Sequence, residues 1–382
     1  MKLKKNRLGE RVEINCRQVE YSFWPTKDGD KGNASVIRTL FSLDPWAIIN
    51  LAIKEKCPQP SMSEALACML QARDFYESAT EAGKLSSRPL TLYYCFMNLA
   101  KALCLTKGLQ PTFDKAQHGL SEQIAAGGVE LDDAYLDAYQ SPNPKDGKLQ
   151  NFAELMKALG VSITEKITLK LPSLIPQVVP GHRLWAHAND TSERFVAIWG
   201  IVPMFNKTDR TMWLELLVVA DDLNRLGVTQ TQFLTKTGFD STFEVVQCNE
   251  KSENGRPLVR FQQKIPITLT NTKYANSLAT LFKSIKNRIW VTVASIPPYR
   301  RYYAYLCPVA ERAEILPQLA SIYAIAYYLG SITRYRPHHF DSIASKSIGP
   351  RIQDFITGQP LQYLYMIASE FSEQEISRPS LV

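Results

Sequence analysis

Arg88-Pro-Leu-Thr-Leu-Tyr-Tyr-Cys-Phe-Met-Asn-Leu-Ala-Lys-Ala-Leu-Cys-Leu-Thr106, followed by Gly108, is the stretch whose reading decides the architecture. Pro89 near its start and Gly108 past its end are the punctuation of a helix. Its apolar side chains fall on nearly every face, which only a helix enclosed by neighbours can satisfy, so it predicts the centre of a domain. The apolar run Leu90 to Leu105 is about 16 residues long, interrupted by Asn98 and Lys101, and is shorter than the roughly 20 residues of a membrane span.

Toward the N-terminus, Asp44-Pro45 supplies a cap and a first-turn proline for a helix carrying Trp46, Ile48, Ile49, Leu51 and Ile53. A second helix begins near Ser61 or Ser63, runs through Leu66, Met69, Leu70 and Phe75, and stops before Gly83. A short helix covers Asn151 to Leu159. Beyond it the hydrophobic period changes. Arg194–Phe205, Trp213–Val219, Phe243–Gln247, Leu258–Gln263, Arg288–Val293 and Tyr302–Leu306 are rich in Val, Ile and aromatics and read as strands. Helical pieces are expected near Asp222–Leu226 and Tyr274–Ile285, and helices return over Ile315–Ile332, Pro350–Ile356 and Leu361–Phe371. The expectation is an α+β protein: a helical N-terminal region (1–165), a β-rich, mostly antiparallel middle (166–308), and C-terminal helices (309–382) that pack back on the N-terminal region. The loop Gln140–Lys148 reads as the linker, and Ser377–Val382 as a frayed end.

The 382 residues are 45% hydrophobic and 21% charged, an ordinary globular balance that excludes disordered and low-complexity classes. No repeat of solenoid length is present. Seven cysteines without a CxxC pair read as free thiols of a reducing cytosol rather than a disulfide or zinc framework. The cationic start, Lys2 to Arg11, lacks a following apolar run and reads as a solvated arm, not a secretory signal. A cytoplasmic location without membrane attachment follows as the expectation, and Asn33, Asn189 and Asn206 then carry no glycan meaning.

Charge is unevenly placed. Lys273 to Arg351 holds eleven Lys/Arg against three acids, a local +8 within a total of +7. Arg300 and Arg301 sit inside Tyr299-Arg-Arg-Tyr-Tyr303, and Arg334 and Arg336 flank Tyr335. Interleaved guanidinium and ring groups suit phosphate contact with base stacking. Equally, such arginines can cover aromatic surface and pair with acids around Glu130 to Asp137.

No phosphate-binding glycine loop, HExxH or GxSxG elbow occurs, so no cofactor or metal is expected. Asp240 with Glu244 lacks the lysine of a restriction-type nuclease core, and Asp221-Asp222 reads as a helix cap. His182 and His187 flank Trp185 in a proline-bounded loop, a spacing that is no metal signature. Arg334 to His339 fits the Arg-x(4 to 6)-His pattern of the HEPN ribonucleases, where the imidazole handles a proton and the guanidinium holds phosphate. Close to one such match is expected by chance in a chain of this composition, and Tyr335 replaces the small polar residue those enzymes prefer.

Three segments in order, Arg88–Ala102, His118-Gly-Leu120 and Ser331–Phe340, resemble the YaaC-like family of bacterial proteins, with its YYxFxNLAKA helix, HGL turn and RYxPxx-aromatic segment. The resemblance spans roughly residues 35 to 375 and names no activity. It directs attention to Asn98 and Lys101 on one helix face and to Arg334 and Arg336 at a helix end. Buried without partners, Asn98 or Lys101 would cost several kcal/mol, so each needs an internal network with Arg88 or His118, or a ligand. The expected binding residues are Arg88, Asn98, Lys101, His118, Arg300, Arg301 and Arg336, and the expected catalytic pair, if the protein is an enzyme, is Arg334 and His339. The leading expectation is a polyanion- or nucleic-acid-binding interaction module without a classical catalytic centre, with a protein partner or homodimer in view. The alternative is a HEPN-like metal-independent ribonuclease in anti-phage defence.

Overall fold

The computed structural model describes residues 3–14, 16–25, 39–81, 85–124, 131–269 and 274–380. Lys2, Asn33, Gly83, Glu130, Lys273 and Val382, named above, lie outside these residues. In chain order come the short strands β1 (Glu10–Arg11), β2 (Glu13–Ile14), β3 (Arg17–Gln18) and β4 (Thr39–Phe41), then helices α1 (Pro45–Lys56), α2 (Gln59–Glu81) and α3 (Arg88–Thr106). Strands β5 (Leu120–Ile124) and β6 (Ala134–Ala138), helix α4 (Asn151–Ala158), strand β7 (Ile167–Lys170) and helices α5 (Leu171–Leu174) and α6 (His182–Ala188) follow. Next are β8 (Phe195–Asn206), β9 (Thr211–Val219), α7 (Ala220–Arg225), α8 (Gln230–Thr237), β10 (Phe243–Val246), β11 (Leu258–Gln263), β12 (Ile267–Thr268), α9 (Tyr274–Ile285), β13 (Trp290–Val293) and β14 (Arg300–Tyr305). The chain closes with α10 (Gln318–Tyr335), α11 (Pro337–Ala344), α12 (Gly349–Ser372) and β15 (Glu375–Ser377).

The chain divides into two compact units, one of residues 1–41, 193–312 and 373–382, the other of residues 42–192 and 313–372. In the second, the helical unit, Asp44 caps α1 as its position predicts, its carboxylate accepting from the N–H groups of Trp46 at 3.0 Å and Ala47 at 3.2 Å. Helix α3 is buried from Leu92 to Thr106 save for Tyr94 and Lys101, and α1, α2, α4, α10 and α12 pack around it. Phe96 stacks on Tyr363 of α12 with centroids 4.0 Å apart. Helix α10 lies close against α3 at Gly330: a Cβ there would lie 3.1 Å from Tyr93 Cβ and 3.2 Å from the Pro89 carbonyl, so any side chain would force these neighbours to give by a few tenths of an ångström.

The other unit is built on a sheet of order β10-β11-β9-β8-β14-β13, antiparallel at every pairing, with β1 added to β8 and β12 to β9. Strand β9 is apolar on both faces. Met212, Leu214, Leu216 and Val218 enter a core with Phe233 of α8 and with Leu278 and Phe282 of α9, while Leu217 and Val219 pack on Leu258 opposite. Each fully buried Leu or Phe contributes about 1.5–3 kcal/mol. Glu215 interrupts that second face. Its carboxylate accepts from Trp213 Nε1 at 3.2 Å and lies 3.4 Å from Arg260 Nε, and burial raises its pKa.

The α+β class stands, with helices from the two ends of the chain packed together as α3 against α10 and α12, but the seams differ from those expected. Residues 166–192 belong with the helices: β7 pairs β6, and the carbonyls of Val178, Val179 and Pro180 are taken by Arg351 at 3.2 Å, Gln318 at 3.0 Å and Gln359 at 3.0 Å. The N-terminal segment around Gly9–Arg11 belongs with the sheet, because β1 joins β8 and Gly9 lies where any Cβ would strike the Trp213 ring. Gln140–Lys148 is no linker. It folds on itself through Asn143, Gly147 and Lys148 and ties to α4 by Ser141 Oγ donating to Glu154 at 2.6 Å. Pro350–Ile356 and Leu361–Phe371 form one helix, α12, with Pro360 inside it. The ~3 kcal/mol cost of an interior proline is outweighed by burying Ile352, Phe355 and Ile356 on one side of it and Tyr363, Leu364 and Ile367 on the other. Asp221 and Asp222 lie in the first turn of α7, not at its cap, where the helix dipole favours their charge.

Candidate functional site

The HGL turn holds the site's central side chain. Gly119 has φ +81° and its Cα faces Phe152 N and Gln150 Cβ so closely that an added Cβ would sit 3.0–3.1 Å away, which explains the glycine. The turn is locked to the start of α4: Phe152 N–H donates to the His118 carbonyl at 3.2 Å and Asn151 N–H to that of Gln117 at 2.9 Å. His118 itself is exposed, but its Nδ1 lies 2.5 Å from the hydroxyl of buried Tyr93 on α3. The Tyr327 ring of α10 completes the surround, 5.9 Å from the imidazole and 5.1 Å from Tyr93.

Lys101 of α3 and Arg334 of α10, distant in sequence, both act on this imidazole. Burial, then Lys101, then Arg334 lower its pKa, so His118 is neutral at pH 7. Arg334 is exposed, donates to Tyr94 Oη at 3.2 Å and lies 4.9 Å from the centre of the Tyr335 ring. Tyr94 in turn stacks on Phe75 of α2 at 5.5 Å. Among the described residues neither Lys101 nor Arg334 is paired with a carboxylate. The nearby acid, Glu122 of β5, forms an ion pair through Oε1 with Arg336 at 3.4 Å, while its Oε2 is buried without a hydrogen-bond partner. Burial and Glu122 push the Tyr327 phenol up to about 12. The result is a surface of neutral phenols and an imidazole flanked by two unpaired cations.

From the expected set, Lys101 and Arg334 are near enough for their charges to bear on His118, while Arg336 lies 3.4 Å from Glu122 Oε1. Asn98 has an internal partner instead, donating to Gln71 of α2 at 2.8 Å. Arg88 opens α3 half-buried, its carbonyl accepting from Thr91. Arg300 is buried within the sheet unit, where it donates to the Ile376 carbonyl at 2.6 Å and lies 3.9 Å from Glu375, while Arg301 on the same strand is exposed. His339 is 6% exposed and its Nε2 is 3.0 Å from Tyr328 Oη, so it and Arg334 have different partners. Burial and then Arg336 lower the His339 pKa. His182 lies in α6, not a loop, stacked on Trp185 with Nδ1 against the Pro176 carbonyl at 2.8 Å. Among the described residues no group of three or more His, Cys, Asp or Glu is placed to hold a metal. Glu244 is bonded to Lys4 at 2.6 Å.

Reading the sequence by itself passed over Tyr93, Tyr94, Tyr327 and Glu122. The signal was there in the Tyr-Tyr doublets 93–94 and 327–328, one in each helix, whose second purpose beyond packing shows only when the helices meet.

Among the described residues no helix is long and apolar enough to cross a membrane. Searches of curated proteins and of solved structures returned no match. The model of the YaaC-like Protein family matches residues 33–371, through α3, the HGL turn and the Arg334–Phe340 segment that build this surface. The chain belongs to the YaaC-like protein family.

Proposed function

We propose that this protein is a polyanion-binding interaction module whose helical unit takes single-stranded nucleic acid across Lys101, His118 and Arg334. One observation carries the reading: the fold gathers two cations and an imidazole from α3, the HGL turn and α10 and leaves the cations without carboxylates. Like charges held together without a counter-charge repel, and an anion relieves that repulsion. The ring-bearing border supports the same ligand. Tyr94 with Phe75, and Tyr335 beside Arg334, offer faces for bases while the cations meet phosphates. The cysteines, held as thiols rather than disulfides among the described residues, support a reducing, cytoplasmic setting. The ribonuclease alternative has less support, because it needs Arg334 and His339 to act on one phosphate, and His339 is buried against Tyr328.

Fluorescence anisotropy with a labelled single-stranded oligonucleotide tests the reading. Affinity is expected to fall steeply with salt, and Lys101→Gln or Arg334→Gln each to reduce the slope of log K against log salt by about 0.7. An unchanged slope in both variants removes the site from consideration. Metal-free RNA cleavage by the wild type that is lost in His339→Ala would restore the nuclease alternative.

A further inference from the structure

We propose that His118 is the central ligand contact of this surface, presenting Nε2 to a phosphate oxygen of the nucleic acid, and that it takes up one proton as the phosphate binds. This rests on the nucleic-acid reading above and adds to it a specific atom and a proton balance.

The geometry fixes the imidazole. Its backbone is held by α4 through Phe152 N–H, and its Nδ1 by the Tyr93 hydroxyl at 2.5 Å. Nε2 is therefore the nitrogen left for a ligand. The ring is contacted by the Tyr93 hydroxyl from α3 and the Tyr327 ring from α10, and the charges that act on it are those of Lys101 from α3 and Arg334 from α10. Glu122 follows on β5: Arg336 lies 3.4 Å from its Oε1, its Oε2 is buried without a hydrogen-bond partner, and its charge acts on Tyr327. The phenols stay neutral, since burial raises Tyr93 far above its ordinary value and Tyr327 to about 12. The net field at the imidazole is thus that of two cations, which together with burial hold the free ring neutral.

A phosphate arriving at this spot reverses the field. It offsets Lys101 and Arg334 and adds a negative charge beside Nε2, so the imidazolium becomes the favoured form. No covalent bond changes. One proton moves from solvent to the ring and is released when the ligand leaves. The sign follows directly. The free imidazole titrates below its ordinary 6.5 and the bound one above it, so affinity rises as pH falls from 8 toward the free value. A phosphodiester keeps its single charge throughout this range, so the dependence belongs to the protein.

The test is anisotropy at fixed ionic strength from pH 8 to 5.5, using a labelled single-stranded oligonucleotide without terminal phosphate. The wild type is expected to bind about 10-fold more tightly at the acid end, the equivalent of one pKa unit, and His118→Gln to lose that dependence and to bind more weakly than the wild type at pH 5.5. Should His118→Gln fail to fold, NMR titration of the full chain reads the same property. The His118 midpoint lies below 6.5 in the free protein, rises on saturation with the oligonucleotide, and also rises in the exposed-site double variant Lys101→Gln/Arg334→Gln. A pH slope unchanged by His118→Gln, or a midpoint unmoved by the oligonucleotide, overturns the proposal while leaving salt-dependent binding intact. Absence of binding by the wild type at any pH and low salt overturns the nucleic-acid reading as well.

Discussion

Tyr299-Arg-Arg-Tyr-Tyr303 and Arg334-Tyr-Arg336 are alike as sequence, arginines set among tyrosines, and they end in opposite environments. In the first, strand β14 alternates its side chains. Arg300 and Tyr302 turn inward to the Ile376 carbonyl and to Glu375, which accepts the Tyr302 hydroxyl at 2.7 Å, and Arg301 turns outward. In the second, the last turn of α10 leaves Arg334 and Tyr335 exposed, one against the other. The comparison teaches that a cation–aromatic word is left at the surface, open to an anion, only when its secondary structure keeps the cation away from an internal carboxylate. On a strand with period two, half of such a word is committed to the core. At a helix end it can remain free for a ligand.

The largest effect that would break this contrast is on stability. Arg300→Ala leaves Glu375 buried without its cation and is expected to cost about 3–5 kcal/mol, read by chemical denaturation, whereas Arg334→Ala is expected to stay within about 0.5 kcal/mol. Equal losses would mean that both arginines are structural. Next in size is the helix contact that delivers Arg334 to the site. Gly330→Ala gains about 1 kcal/mol of helix propensity but forces Tyr93 and the Pro89 carbonyl apart, for a net loss of about 1–2 kcal/mol, with oligonucleotide affinity falling in parallel. A stabilised variant with unchanged affinity would show that the close approach is not needed.

Acid sensitivity sharpens the comparison further. His118 and His339 are both lowered in the folded state, so each favours folding fully above its unfolded value near 6.5 and loses that contribution as pH falls through the folded value. Melting temperature should therefore drop below about pH 6.5, and His339→Gln should lessen the drop more than His118→Gln, because His339 is buried and His118 exposed. A drop insensitive to His339→Gln assigns it to carboxylates instead. Smallest is Arg301→Gln, whose outward side chain is expected to change neither stability nor the salt slope of binding by a measurable amount.

Much of the fold was legible because its signals are local. The Asp44-Pro45 start of α1, the all-round apolar α3 and the boundaries of α9 follow from capping residues and period, which act within a turn or two of chain. Other features were not, for equally physical reasons. Pro360 is a breaker by propensity, and only the burial on either side of it keeps α12 whole. The N-terminal arm carries charges typical of a solvated segment, yet Gly9 and the β1 pairing lay it on the sheet. In the site, Lys101, His118 and Arg334 were legible as residue types, and so was the need of Asn98 for a partner, but not which one, because Gln71 lies on another helix.

The sequence by itself determined the α+β composition, the central helix, the glycine of the HGL turn and the family, since these depend on side-chain volume, backbone freedom and periodicity. Tertiary structure alone decided which polar groups find acceptors. Coulomb and hydrogen-bond energies depend on distances between residues far apart in the chain, and the packing of α3 on α10 set the charges of Lys101 and Arg334, neither paired with a carboxylate, to act on His118, while Arg300 and His339 were drawn into the core.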